Sequence, residues 1–170
     1  IAGTPPCRRI TRPDALAHLP LQRSPLAHKY KAGHALLIAG SQQYVGAAIL
    51  SGQGAIASGV GMLTVVVPES IKLAVVGQFP EALVIAAPET PMGAIASLPD
   101  SLAWDQYDVV ACGPGLTAAA AAILPTVLAC DRPLVLDADG LNWLAQNRPL
   151  EQLRQRPVPT LLTPHLGEFR

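Results

Sequence analysis

The sequence predicts an α/β fold built on a mostly parallel sheet covered on both faces. Apolar runs of four or five residues recur as continuous blocks: ALLIA, LTVVV, ALVIA and VVAC. Strands buried on both faces read this way, whereas half-exposed strands alternate. The segments between these blocks carry helical spacing and polar turns, so strands and helices take turns along the chain. Half of the 170 residues are hydrophobic but only 4% are aromatic. The core must therefore come from Ala, Val, Leu and Ile, which suits helices packed closely on a sheet. The length fits one domain with a real core.

Residues 1–27 carry Pro5, Pro6, Pro13, Pro20 and Pro25 among scattered arginines and read as a lead-in. A short helix is expected inside it, with Thr11 as cap and Pro13 in the first turn. Ala35 to Ala39 is the first strand, ended by Gly40 and Ser41. The helix from Gly46 to Ser58 is rich in small residues and stops at Gly59 and Gly61. Leu63 to Val67 is the second strand, and Pro68-Glu69-Ser70 opens a helix that must end before Pro80. Ala82 to Ala86 is the third strand. Pro88 to Asp100 reads as a loop with at most one helical turn. Val109 to Cys112 is the fourth strand and runs into Gly113-Pro114-Gly115. Thr117 is expected to cap a helix through the alanine run. Leu134 to Leu136 is the fifth strand, followed by Asp137-Ala138-Asp139-Gly140, and Leu161-Leu162 marks the sixth.

Several function classes are unsupported. Acids and bases balance at 12 each, so no basic face for nucleic acid is expected. No apolar run reaches membrane-spanning length, since the dense stretch Thr117 to Ala129 is broken by Pro125. The three cysteines, Cys7, Cys112 and Cys130, show no metal or redox spacing, and their odd number speaks against a disulfide framework. A reducing, cytoplasmic setting follows. The dinucleotide fingerprint G-x-G-x-x-G, the phosphate loop G-x-x-x-x-G-K-[ST] and the G-x-S-x-G elbow are all absent.

In an open parallel sheet, ligands bind beyond the carboxyl ends of the strands. The residues there are Gly40-Ser41, Gly113-Pro114-Gly115, Asp137 with Asp139, and His165 with Glu168. Each has an ordinary alternative. Gly40-Ser41 and the Gly-Pro-Gly bend can be plain turns, although two glycines around a proline also leave backbone N–H groups bare for an anion. Asp139 can cap the helix that follows it. Asp137 is better placed to meet a ligand or a hydrated metal. His165 can be a surface histidine and Glu168 a first-turn acid.

Four stretches, HKYKAGHALLIAGSQQYVGAAIL, YDVVACGPGLT, LVLDADGLNWLA and LLTPHLGEF, together resemble the C-terminal domain of bifunctional NAD(P)HX repair enzymes. That domain is the ADP- or ATP-dependent NAD(P)H-hydrate dehydratase, a relative of ribokinase. The resemblance implies a ribokinase-like three-layer α/β/α sandwich over residues 28–170, of which only the N-terminal part is present. It implies a substrate, NAD(P)HX, made by adding water to NADH or NADPH. An adenine nucleotide, ATP or ADP with Mg2+, would phosphorylate the ring hydroxyl, and phosphate would leave as the double bond reforms. By the same resemblance Ala48, Gly115 and His165 would contact substrate. Asp137 and Glu168 would lie near the phosphates, with Glu168 holding the metal through water. The lead-in would follow a fused epimerase domain.

The family's Gly-x-Gly-Asp turn, whose aspartate is the base, does not occur in the sequence. No catalytic base is therefore assigned within these residues. The start at Ile1 and the absent turn read as a piece of a longer frame. A half-sheet of that kind is expected to leave an edge strand uncovered and to associate into a homo-oligomer or with a partner.

Overall fold

The computed structural model describes residues 9–19 and 29–168. Most of the predicted lead-in and Cys7 lie outside the described residues. Within the lead-in, α1 (Arg12–His18) forms as expected. The Thr11 hydroxyl accepts from the Asp14 N–H, the Asp14 carboxylate accepts from the Thr11 N–H, and Pro13 sits in the first turn.

Six strands follow: β1 (His34–Ile38), β2 (Met62–Pro68), β3 (Leu83–Ala87), β4 (Val109–Cys112), β5 (Leu134–Leu136) and β6 (Thr160–Leu162). They form one sheet in the order β3-β2-β1-β4-β5-β6, every pairing parallel. The helices are α2 (Val45–Ala57), α3 (Lys72–Val76), α4 (Leu124–Ala129), α5 (Asp139–Asn147) and α6 (Leu150–Gln155). Among the described residues no helix is long and apolar enough to cross a membrane.

Alternation along β1 splits the interior into two cores. Leu36 and Ile38 join Val110, Cys112, Leu134, Leu136, Leu124 and Leu128 on one face. Leu37 and Ala39 join Val65, Val67, Ala48, Val75 and Phe79 on the other, beneath α2 and α3. The sheet is thus the middle layer of three. Small residues set the spacing: a Cβ on Gly52 of α2 would come within 2.8 Å of the Phe79 ring.

One expectation needs correction. The alanine run is not one helix capped by Thr117. Ala118–Ile123 is a 3-10 segment, and only α4 beyond it is α-helical. Pro125 has no N–H to give to a carbonyl four residues back, so an α-helix cannot run through the alanines across it and instead starts anew with Pro125 in its first turn. Thr117 makes no side-chain cap, because its backbone has a positive φ of 65° where a cap is extended. The loop after β3 contains no helical turn before residue 100; an antiparallel bridge between Glu89 and Ile95 closes it instead.

Arg156 ties β6 to the body. Its guanidinium donates to the carbonyls of Leu128, Cys130 (2.9 Å) and Arg132 (2.6 Å), and to the Thr160 hydroxyl (2.8 Å). These carbonyls leave the end of α4, where a cation is also favoured by the helix dipole. At the start of the interior strand β1, His34 Nε2 lies 2.8 Å from Thr64 Oγ1, and the Tyr107 ring stands edge-on at 4.7 Å between centroids. Burial holds the His34 imidazole below its ordinary value of 6.5, outweighing the Gln106 carbonyl and the Asp108 carboxylate, which both favour the cation.

Two predictions follow from these contacts. Arg156→Ala should lower unfolding free energy by about 2 kcal/mol in urea melts, since carbonyls lose their donor; a melt unchanged from wild type would refute the role. His34 binds its proton less readily folded than unfolded. Its contribution is present above 6.5 and is lost as pH falls below that value toward the lower folded-state pKa. Stability measured from neutral to mildly acidic pH should fall with a slope that His34→Gln flattens.

Candidate functional site

The chain runs outward from β1 through β2 to β3, then returns to the other side of β1 for β4, β5 and β6. The order reverses between β1 and β4, and a crevice at such a switch point is where open α/β sheets bind ligands. Its two walls are the turns after β1 and β4. Gly40 has φ +81° and donates its N–H to the Pro114 carbonyl at 2.8 Å, so the turns are joined directly. Gly115 has φ +68°, and a Cβ there would lie 2.6 Å from Ala47 Cβ and 2.9 Å from Tyr44 Cβ. No other residue fits.

Helix α2 begins at this crevice. Tyr44 precedes it, and the Tyr44 N–H donates to the buried Ser41 through Oγ (3.2 Å) and the carbonyl (3.0 Å). The first turn of α2 holds no acid and no side-chain cap, and the space around Gly46 is open. Uncapped N–H groups with the positive end of a helix dipole suit an anion. Ala48 is fully buried, and a Cβ built on Gly40 would lie 2.9 Å from its methyl. Its small size therefore governs how closely α2 sits on the first turn.

Beyond β5, Asp137 is half-buried, its N–H donates to the Cys112 carbonyl at 3.2 Å, and its Oδ1 accepts from the Ala138 N–H at 2.9 Å. Asp139 is not a helix cap. It is the first residue of α5, and the cap position falls to Ala138. Its Oδ2 instead reaches across to accept from the Thr117 N–H at 2.9 Å.

Beyond β6, His165 and Glu168 form a closed turn. Glu168 Oε2 accepts from the His165 N–H (3.0 Å), and the Glu168 N–H donates back to the His165 carbonyl (3.0 Å). The Gly167 N–H donates to His165 Nδ1 at 2.9 Å, so in the neutral ring the proton sits on Nε2, which lies 3.4 Å from Glu168 Oε1. The imidazole is 74% exposed.

The structure thus sets Ala48, Gly115, Asp137, His165 and Glu168 along one edge. Gly115 and the α2 start are in contact; His165 is separate, since β6 lies three strands from β1, or about 14 Å at about 4.8 Å per strand. Among the described residues, no three His, Cys, Asp or Glu side chains gather to hold a metal. Burial pushes the Cys112 thiol up, which makes it a core group and not a nucleophile. Tyr44, Thr117 and the Gly93–Gln42 contact were missed from sequence. Gly93 accepts the Gln42 N–H through its carbonyl at 2.8 Å and has no room for a side chain beside Gln42. A glycine in a proline-rich loop was the available signal, and its φ of +70° is what the structure requires of it.

The family profile for NAD(P)H-hydrate dehydratase matches residues 35–170. A bifunctional NAD(P)H-hydrate repair enzyme from Thermosynechococcus vestitus is 51% identical over 154 residues, covering 89% of this chain and 29% of that protein. One from Synechocystis sp. is 50% identical over 165 residues, covering 97% and 31%. Among solved structures, the chain is similar to the ADP/ATP-dependent NAD(P)H-hydrate dehydratase of Bacillus subtilis, co-crystallized with ATP and Mg2+. The TM-score is 0.70 and the identity 34%, over 94% of this chain and 53% of that one. A ribokinase-like superfamily protein from Enterococcus faecalis matches with TM-score 0.67 and 27% identity, over 87% and 50%. The chain therefore spans under a third of those curated relatives and about half of those solved chains.

A glycine substitution tests the crevice. A Cβ on Gly113, at φ +132°, would land on the Asp137 carbonyl oxygen, whereas one on Gly46 meets nothing within 4 Å. Gly113→Ala should lower stability by about 2 kcal/mol or more, and Gly46→Ala should be neutral or stabilise by up to about 1 kcal/mol. Equal denaturation midpoints for the two variants would overturn this packing.

Proposed function

The chain belongs to the NAD(P)H-hydrate dehydratase family, and on that premise we propose that it supplies the substrate side of a nucleotide-dependent dehydratase that returns NAD(P)HX to NAD(P)H. The observation that carries the reading is one edge of a parallel sheet where an uncapped helix start, a Gly-Pro-Gly bend and an exposed histidine lie in line. Backbone N–H groups at the α2 start fit the phosphates of a dinucleotide. Across about 14 Å of edge, His165 Nε2–H is a donor for a polar group at the other end of the same ligand. The Glu168 turn holds that imidazole in one orientation.

In the proposed reaction the ring hydroxyl of the hydrate attacks a phosphoryl group of ATP or ADP. The hydroxyl proton leaves as the terminal phosphorus–oxygen bond breaks and ADP or AMP departs. The C–O bond then breaks with loss of phosphate while the adjacent ring carbon gives up a proton, so the double bond reforms. Hydroxide, a poor leaving group, is replaced by phosphate. Such transfers depend on positioning and charge stabilisation, and the groups here bind and orient. Mg2+ bound with the nucleotide would neutralise phosphate charge. It keeps most of its waters and needs only one or two carboxylates. Glu168 fits that need in part, because each carboxylate oxygen has lone pairs beyond the bond it already accepts. Its relatives are bifunctional by name, and a fused epimerase domain in the parent polypeptide is part of the proposal. β6 is an edge strand with Leu161 58% exposed, which supports its being covered by further chain or by a second copy.

The test is turnover by the full-length protein. Hydrated NADPH with ATP or ADP and Mg2+ should recover the dihydronicotinamide absorbance, and His165→Ala should raise KM for the hydrate about tenfold. Phosphorylation of sugar or vitamin alcohols with no action on the hydrate would sink the reading.

A further inference from the structure

Among the described residues, three that are not glycine have positive φ: Thr117, Ala138 and Arg148. Arg148 is an ordinary left-handed helix end, at φ 47° and ψ 51°. The other two are not. Thr117 stands at φ 65°, ψ 164°, a region essentially reserved for glycine, and Ala138 at φ 46°, ψ −116°. Each such residue costs on the order of 1–3 kcal/mol and persists only where its surroundings impose it.

Both belong to one contact. Thr117 lies two residues after Gly115, and Ala138 lies between Asp137 and Asp139. Asp139 Oδ2 accepts the Thr117 N–H at 2.9 Å and so joins the two strained turns. Two further contacts hold the same pair: Gly113 packs on the Asp137 carbonyl, and the Asp137 N–H donates to the Cys112 carbonyl. The Leu116 N–H closes the bend onto the Gly113 carbonyl at 3.2 Å, and the fully buried Leu116 side chain anchors it. A cavity of about 150 Å³ lies alongside, lined by Thr117 and Asp139 among others. The other Asp139 contact, Oδ1 to Asn142 Nδ2, is long at 3.4 Å. The carboxylate's short bond is the one that crosses to β4.

We propose that Asp139 is a positioning residue for the reaction, holding Thr117 in its glycine-type conformation so that the Gly113-Pro114-Gly115 bend keeps its backbone aimed into the crevice. This rests on the dehydratase reading for the identity of the ligand and on the geometry alone for the role. Hydrogen bonds to a charged group are among the stronger ones in proteins, and this one opposes the strain at Thr117 directly. Without it, the chain from Gly115 to Thr117 would relax toward a common conformation and carry the Gly115 backbone with it. Asp139 touches neither substrate nor nucleotide in this scheme.

The experiment compares Asp139→Ala and Asp139→Asn with wild type in the full-length protein. Loss of the acceptor in Asp139→Ala should raise KM for hydrated NADPH about tenfold or more, with KM for the phosphoryl donor unchanged. Asp139→Asn keeps an oxygen acceptor and should recover most of the loss. Amide hydrogen exchange on the same proteins should show faster exchange confined to Gly115–Thr117 in Asp139→Ala, with β4 and α5 still protected. A fall in thermal stability with both KM values unmoved, or exchange quickened evenly across the sheet, would mean that Asp139 serves only the fold. If wild type leaves hydrated NADPH untouched, the dehydratase reading fails, and the exchange pattern still decides the positioning claim.

Discussion

The closeness of α2 to the β1–β4 pair is the constraint on which the rest of the edge depends. Gly40 lies against Ala48, Gly115 against Ala47 and Tyr44, and Gly52 against Phe79. At these contacts a single added carbon meets another heavy atom at 2.6–2.9 Å, inside any ordinary van der Waals separation. Such contacts bring the first turn of α2 to the point where the strand order reverses. The uncapped N–H groups of that turn then face the same crevice as the Gly-Pro-Gly bend. A bulkier helix would sit further out, and the helix start and the bend would no longer form two walls of one site.

The same edge is held from the other side by polar contacts. Glu89 of the loop after β3 accepts the Ser70 N–H at 3.1 Å, which satisfies a donor in the turn that follows β2. Gln42 is tied to Gly93, Asp139 to Thr117, and Glu168 to His165. The first three turns are thus fixed by a distant neighbour, and the last by its own residues. That arrangement suits a binding edge, because the backbone groups that meet a ligand must already be in place when it arrives.

Much of this was legible in the sequence. Short continuous apolar blocks marked the first five strands to within a residue or so, as strands buried between two layers should. The exposed edge strand β6 showed only as Leu161-Leu162. The Thr11 capping box and the glycine bends were equally local. What failed depended on contacts between distant residues. An alanine run has the best helix propensity available, yet it forms a 3-10 segment, since Pro125 ends the α pattern from below and Thr117 is pulled out of cap geometry from above. Asp139 ahead of a helix looked like a cap, but its carboxylate is used by a residue 22 positions earlier. No window of sequence contains both partners. The candidate site residues came from the rule that parallel sheets bind ligands at strand ends and from four motifs in order; the residues that hold them in place carried no such mark.

The chemistry of the acids on this edge follows from their partners. Asp137, Asp139 and Glu168 each accept a hydrogen bond from a backbone N–H. A carboxylate committed in this way is fixed in orientation relative to the turn it bonds. Orientation is what such groups do well. The exposed imidazole of His165 has one nitrogen filled by the Gly167 N–H and the other 3.4 Å from Glu168 Oε1, so it too is held by its own turn. The acids on this edge therefore hold its turns in place, which is what the proposed binding of a dinucleotide there requires.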